Sequence, residues 1–146
     1  DIAPSSANMI EGDFLAGDLL PFAFAGIFTN PPYKHAEKFV RRALDLTRDN
    51  RGAVAMLLSV DWDSAKTRRD LFADHPAWGT KIVLLDRVWW FEPEPGADGK
   101  IKGPSENHAW YVWDWRGRDG RTIRYAEMPD AARAELRRKR AQRAAS

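Results

Sequence analysis

The pair Pro31-Pro32, set directly behind the apolar run 22–28, constrains this chain more than any other feature. Each proline lacks a backbone N–H and fixes φ, so neither fits inside a central strand or a helix interior. The apolar run therefore reads as a buried strand that stops at the prolines and carries Asn30 to its carboxyl end. In an open parallel α/β sheet that end faces the ligand crevice. The segment Asn30-Pro31-Pro32 is stiff and offers carbonyl acceptors, Asn30 adds an amide oxygen, and Tyr33 adds a flat ring with a polar tip. Two acceptors converging on one NH2 group bind a planar amine, draw its lone pair out of conjugation and turn it toward an electrophile. The ring holds the planar system by stacking, and the chemistry needs neither a metal nor a strong base. A strand-terminating turn capped by Asn30 is the structural alternative.

A chain of 146 residues without cysteine bounds the answer to one domain with a real core and excludes disulfides and thiolate metal sites. No signal peptide and no apolar run of membrane-spanning length is visible, so a cytoplasmic location without membrane contact is expected. The net charge is +2, but residues 130–146 hold six basic and two acidic side chains, a surplus of +4 that leaves −2 for the rest. Attraction to nucleic acid therefore depends on this basic tail and on local patches.

Periodicity places an amphipathic helix at 36–46 and a continuous apolar strand at 53–58. The segment 59–64 closes that strand and leads into a helix capped by Asp63 or Ser64, with Lys66, Arg68 and Arg69 in its first turn. Trp62, at the carboxyl end of its strand, is a candidate wall for a bound base; with seven tryptophans in the chain, a core or lid role is at least as natural. Another strand is expected at 81–85, then a Pro- and Gly-rich loop at 92–107, a length that is often functional. The aromatic alternation at 108–115 reads as a strand, and after the turn at 117–120 the segment 122–126 is expected to pair back as an antiparallel hairpin. His108, at a strand start with no carboxylate in view, reads as structural. The tail 130–146 is helix-prone and either tracks phosphates or frays in solvent.

Asn30-Pro31-Pro32-Tyr33 at the end of a strand resembles the catalytic motif of S-adenosylmethionine-dependent amino-methyltransferases, above all the DNA N6-adenine enzymes. The strings NPPYKHAEKFVRRALDL, AVAMLLSVDW and HAWYVWDW extend the likeness to phage and prophage adenine methyltransferases, to about Pro129. The resemblance implies a Rossmann-like methyltransferase sheet in an α/β domain over 1–129, ending in the antiparallel hairpin and followed by the basic helical tail. Asn30, Pro31, Pro32 and Tyr33 would be catalytic. Asp1 and Ile2 resemble the end of the second strand, whose acidic residue receives the cofactor ribose hydroxyls. Asp13 and Phe14 resemble the pair that accepts the cofactor's adenine amine and packs against its ring; a helix or turn cap is the alternative for Asp13, and a charged terminal residue for Asp1. Arg87, Lys100 and Lys102 lie where the family meets its substrate and are candidates for phosphate contacts, or else belong to a solvated loop.

The family's Gly-rich cofactor loop and first strand have no counterpart before Asp1. Their absence implies an exposed sheet edge and self-association, a partner segment or a rearranged sheet. The activity implied is methyl transfer from S-adenosylmethionine to the N6 amine of adenine in DNA. A protein glutamine amide and adenine in RNA are neighbouring substrates, and a non-enzymatic remnant that binds nucleic acid or a partner subunit is the other alternative.

Overall fold

The computed structural model describes residues 12–17, 24–90, 103–117 and 120–144. Its elements run β1 (Gly26–Thr29), α1 (Ala36–Arg48), β2 (Ala53–Ser59), α2 (Arg69–Phe72), β3 (Trp78–Leu84), β4 (His108–Asp114), β5 (Thr122–Ala126) and α3 (Asp130–Ala144). The strands form one open mixed sheet in the order β1-β2-β4-β3-β5. β1 pairs parallel with β2, β4 runs antiparallel to both β2 and β3, and β5 is parallel to β3. Four strands therefore point one way, and their carboxyl ends share an edge with the amino end of β4. This α/β arrangement is compatible with a Rossmann-like fold.

β2 is buried along nearly its whole length, as a continuous apolar run in a central strand requires. α1 presents Ala36, Val40, Ala43, Leu44 and Thr47 as one buried stripe and packs on β1 and β2. Thr47 satisfies its hydroxyl on the Ala43 carbonyl at 2.8 Å, so a polar residue completes the stripe at no cost in unpaired groups. Between α1 and β2 the chain passes so close to the β1 approach that a Cβ on Gly52 would stand 2.8 Å from the Phe24 carbonyl oxygen.

The helix at 36–46 and the strands at 53–58 and 108–115 appear within a residue or two of their expected bounds. Other expectations are corrected. The first strand is short and, among the described residues, stands at the end of the sheet; Phe28 is 69% exposed because the pleat turns it away from α1. Residues 22 and 23 of the expected strand lie outside the described residues. The hairpin does not form: β2 and β3 occupy both edges of β4, so β5 takes the free edge of β3 in parallel. After Asp61 the chain makes two 3-10 turns, Trp62–Ser64 and Lys66–Arg68, before the four-residue α2. Neither expected cap acts as one: Asp63 bonds Lys81 Nζ at 2.8 Å, and Ser64 Oγ donates to the Asp61 carbonyl at 2.7 Å. β3 begins at Trp78, ahead of the expected 81, with a bulge between Trp78 and Thr80.

The core beneath the sheet is an aromatic cluster in which Trp113 meets Phe72 at 5.6 Å and Trp78 at 5.2 Å between ring centres. Beside it His75 accepts the Ala77 N–H at Nδ1 (3.2 Å) and meets the Trp115 ring at 5.2 Å. Burial, and then the charge of Arg48, hold the His75 pKa below its ordinary value. A lowered folded pKa favours the neutral ring, so this contribution is complete above the unfolded value of about 6.5 and is lost as pH falls through the folded one. Thermal unfolding followed from about pH 7 to pH 5 is expected to show a decline that His75→Asn, which keeps an acceptor in place of Nδ1, reduces; an unchanged pH slope in the variant contradicts it.

Candidate active site

The shared strand edge gathers three segments into one place. The end of β1 delivers residues 30–33, the end of β2 delivers 59–62, and the approach to β4 delivers 106–108. Together Tyr33, Ser59, Val60, Asp61, Trp62, Glu106 and Asn107 line a cavity of about 490 Å³.

The double proline shapes the first segment. Pro31 is buried and anchors the turn, while the Pro32 carbonyl accepts the His35 N–H at 2.9 Å and opens the 3-10 turn Tyr33–His35 that feeds α1. Asn30 is exposed, and its amide has no hydrogen-bond partner among the described residues. Tyr33 is 48% exposed at the cavity, and its hydroxyl lies 2.5 Å from His108 Nε2. Burial, and then the negative charge of Glu106, push the Tyr33 phenol above its ordinary pKa.

The second segment is braced from below. Tyr111, fully buried, places its hydroxyl 2.9 Å from the Ser59 and Val60 carbonyls and 3.2 Å from Asp63 Oδ1. Burial, and then the Asp63 charge, hold the Tyr111 phenol far above its ordinary value, so it acts here as a neutral donor. The Val60 N–H donates to the Asn107 carbonyl at 3.0 Å, tying the second segment to the third.

Trp62 lines the cavity yet is only 8% exposed. Its ring packs against Phe72 and Tyr111, and the Arg68 guanidinium covers it at 4.3 Å. A free stacking face is therefore not offered, and Trp62 acts as floor rather than wall. Arg87 lies on the same edge but bonds Asn107 Oδ1 and the Pro104 carbonyl, each at 2.9 Å, which holds the segment 104–107 in place. Asp13 accepts the Leu15 N–H at 2.8 Å within its own turn, and Phe14 stacks on Phe39 of α1 at 5.0 Å; neither lines the cavity. Asp1, Ile2, Lys100 and Lys102 lie outside the described residues.

Ser59, Val60, Asp61, Glu106 and Asn107 of the cavity lining, and His108 behind Tyr33, are the site residues that sequence reasoning missed. His108 falls opposite Ser59 in the β2–β4 register, which brings it to Tyr33 across 75 positions of sequence. Only the antiparallel pairing of β4 with β2 reveals this proximity, and no local spacing signals it.

α3 also docks on this edge of the sheet. Arg133 bonds Asp86 Oδ2 at 3.0 Å, the Met128 N–H reaches the same oxygen, and Leu136 with Met128 and Trp89 closes a second cavity of about 540 Å³. The tail is thus a helix held through Arg133 and Leu136, with Arg137, Arg138 and Lys139 exposed. Among the described residues no helix is long and apolar enough to cross a membrane. Comparison of the chain with protein-family models, with curated proteins and with solved structures finds no match in any of the three.

Proposed function

We propose that this chain is an S-adenosylmethionine-dependent amino-methyltransferase, with a Rossmann-like methyltransferase sheet, acting on the exocyclic N6 amine of adenine in DNA. The observation that carries the reading is the exposed Asn30 amide, three residues before the half-exposed Tyr33 ring of the cavity and separated from it by the double proline at the carboxyl edge of the sheet. Asn30 Oδ1 and the Pro31 carbonyl accept the two N–H groups of the amine, and Tyr33 stacks on the base. A base taken from a duplex must be flipped out, at a cost of a few kcal/mol, about what one stacked aromatic contact returns. The rate gain then comes mainly from holding the nitrogen in line.

The cofactor supplies an electrophilic methyl group on a sulfonium. Asp13 fits a role in holding it, because its carboxylate is exposed and only one oxygen is engaged by Leu15. Phe14 offers an aromatic surface alongside. The exposed cations of α3 fit phosphate contacts on the same edge as the cavity.

Calorimetric titration with S-adenosylmethionine, with and without an adenine-containing duplex, tests the reading. Micromolar affinity, about −8 kcal/mol, is expected, and an absence of heat in both titrations contradicts it. In the same duplex titration, neutralising Arg137 and Arg138 to glutamine should lower the slope of log K against log salt by about 2, at roughly 0.9 per phosphate contact. An unchanged slope removes α3 from the interface.

A further inference from the structure

His108 is 1% exposed, yet its ring carries two polar nitrogens. Nε2 faces oxygens: the Tyr33 hydroxyl at 2.5 Å and Glu106 Oε2 at 3.9 Å. Nδ1 is buried with no hydrogen-bond partner among the described residues. The Trp90 ring meets the imidazole in a T-shaped contact at 5.3 Å, and the Tyr33 ring lies alongside it at 6.1 Å. A proton on Nδ1 would leave a buried N–H unpaired, the rarer and costlier kind of orphan, whereas a proton on Nε2 meets an acceptor directly. Of the two tautomers, the one with Nε2–H and a bare Nδ1 is the one that this packing favours.

We propose that His108 is the positioning residue of the site: as its Nε2–H tautomer it donates to the Tyr33 oxygen and fixes the ring that forms the cavity wall. This role deepens the amine-transfer reading above and rests on it for the effect on substrate, whereas the tautomer stands on geometry alone. Tyr33 opens a short 3-10 turn just past β1, the end strand of the sheet among the described residues. The bond to His108 couples the ring to β4, the central strand, which is paired along both edges.

Ring nitrogen NMR of protein labelled at its three histidines tests the tautomer, with His35→Gln and His75→Asn assigning the other two. The expected result is a proton on Nε2 of His108, with Tyr33→Phe moving the Nε2 resonance more than that of Nδ1. A proton on Nδ1, or no response to Tyr33→Phe, overturns the proposal. Binding of a single-stranded oligonucleotide containing adenine tests the consequence. His108→Phe is expected to weaken it about tenfold, the scale of one lost hydrogen bond. His108→Gln, whose amide N–H takes the Nε2 position, should stay within about threefold of the parent, while His108→Asn, which places it at Nδ1, should not. Equal affinities for the Gln and Asn variants overturn the positioning role. If the parent protein binds no oligonucleotide, the amine-transfer reading fails, and the NMR result alone decides the state of His108.

Discussion

Replacing Asn30 with alanine is expected to lower methyl transfer by about 10²- to 10³-fold, the loss that follows removal of one preorganised hydrogen-bonding group from a developing charge. The amide oxygen polarises the amine only as the nitrogen bonds to the methyl carbon, so the loss falls on kcat more than on KM. Because Asn30 is exposed and makes no hydrogen bond among the described residues, its truncation should change stability by no more than about 0.5 kcal/mol. Asn30→Asp keeps the Oδ1 acceptor beside the unchanged Pro31 carbonyl and should retain more activity than alanine. Steady-state rates with thermal melts of the three proteins check this. Equal rates for alanine and wild type would remove Asn30 from the chemistry.

Trp113→Ala is expected to be the most destabilising single truncation in the core. The side chain is fully buried, meets Phe72, Trp78 and Tyr111, and donates its indole N–H to the Leu71 carbonyl at 2.7 Å. Truncating a buried tryptophan costs about 3–5 kcal/mol through lost transfer energy and a residual cavity. Leaving the Leu71 carbonyl unpaired adds to that. Against a total stability of about 5–15 kcal/mol for an ordinary domain, such a loss is a large fraction of the whole. Trp113→Phe keeps much of the packing and loses the donor, so it should cost markedly less. Urea denaturation gives both values; a loss under about 1 kcal/mol for alanine would mean that the aromatic cluster is not the centre of the core.

Where burial is decided by one element, the sequence sufficed. The apolar run of β2 and the amphipathic helix α1 both appear as read, because each follows from periodicity alone. The prolines likewise end β1 and leave Asn30 exposed. What local pattern could not supply was pairing. β5 has the turn signal and β-propensity of a hairpin partner for β4, but β3 already occupies that edge. Trp62 sits at a strand end, where a base wall is plausible, but Arg68 and Phe72 enclose it only once the chain folds back. His108 has a carboxylate two residues before it in Glu106, 3.9 Å from its Nε2, but its hydroxyl partner Tyr33 arrives from the turn after β1, 75 residues away. Asp63, a natural cap by sequence, is drawn instead to Lys81, 18 residues away.

Product analysis tests the central claim most directly. The protein is incubated with S-adenosylmethionine carrying a labelled methyl group and with equal amounts of adenine-containing DNA, the matching RNA and a glutamine-containing peptide, with Asn30→Ala as control. Labelled N6-methyladenine in the DNA, far below parent levels with Asn30→Ala, is the predicted result. Label confined to the peptide or the RNA, label that persists undiminished in Asn30→Ala, or no label at all would contradict it.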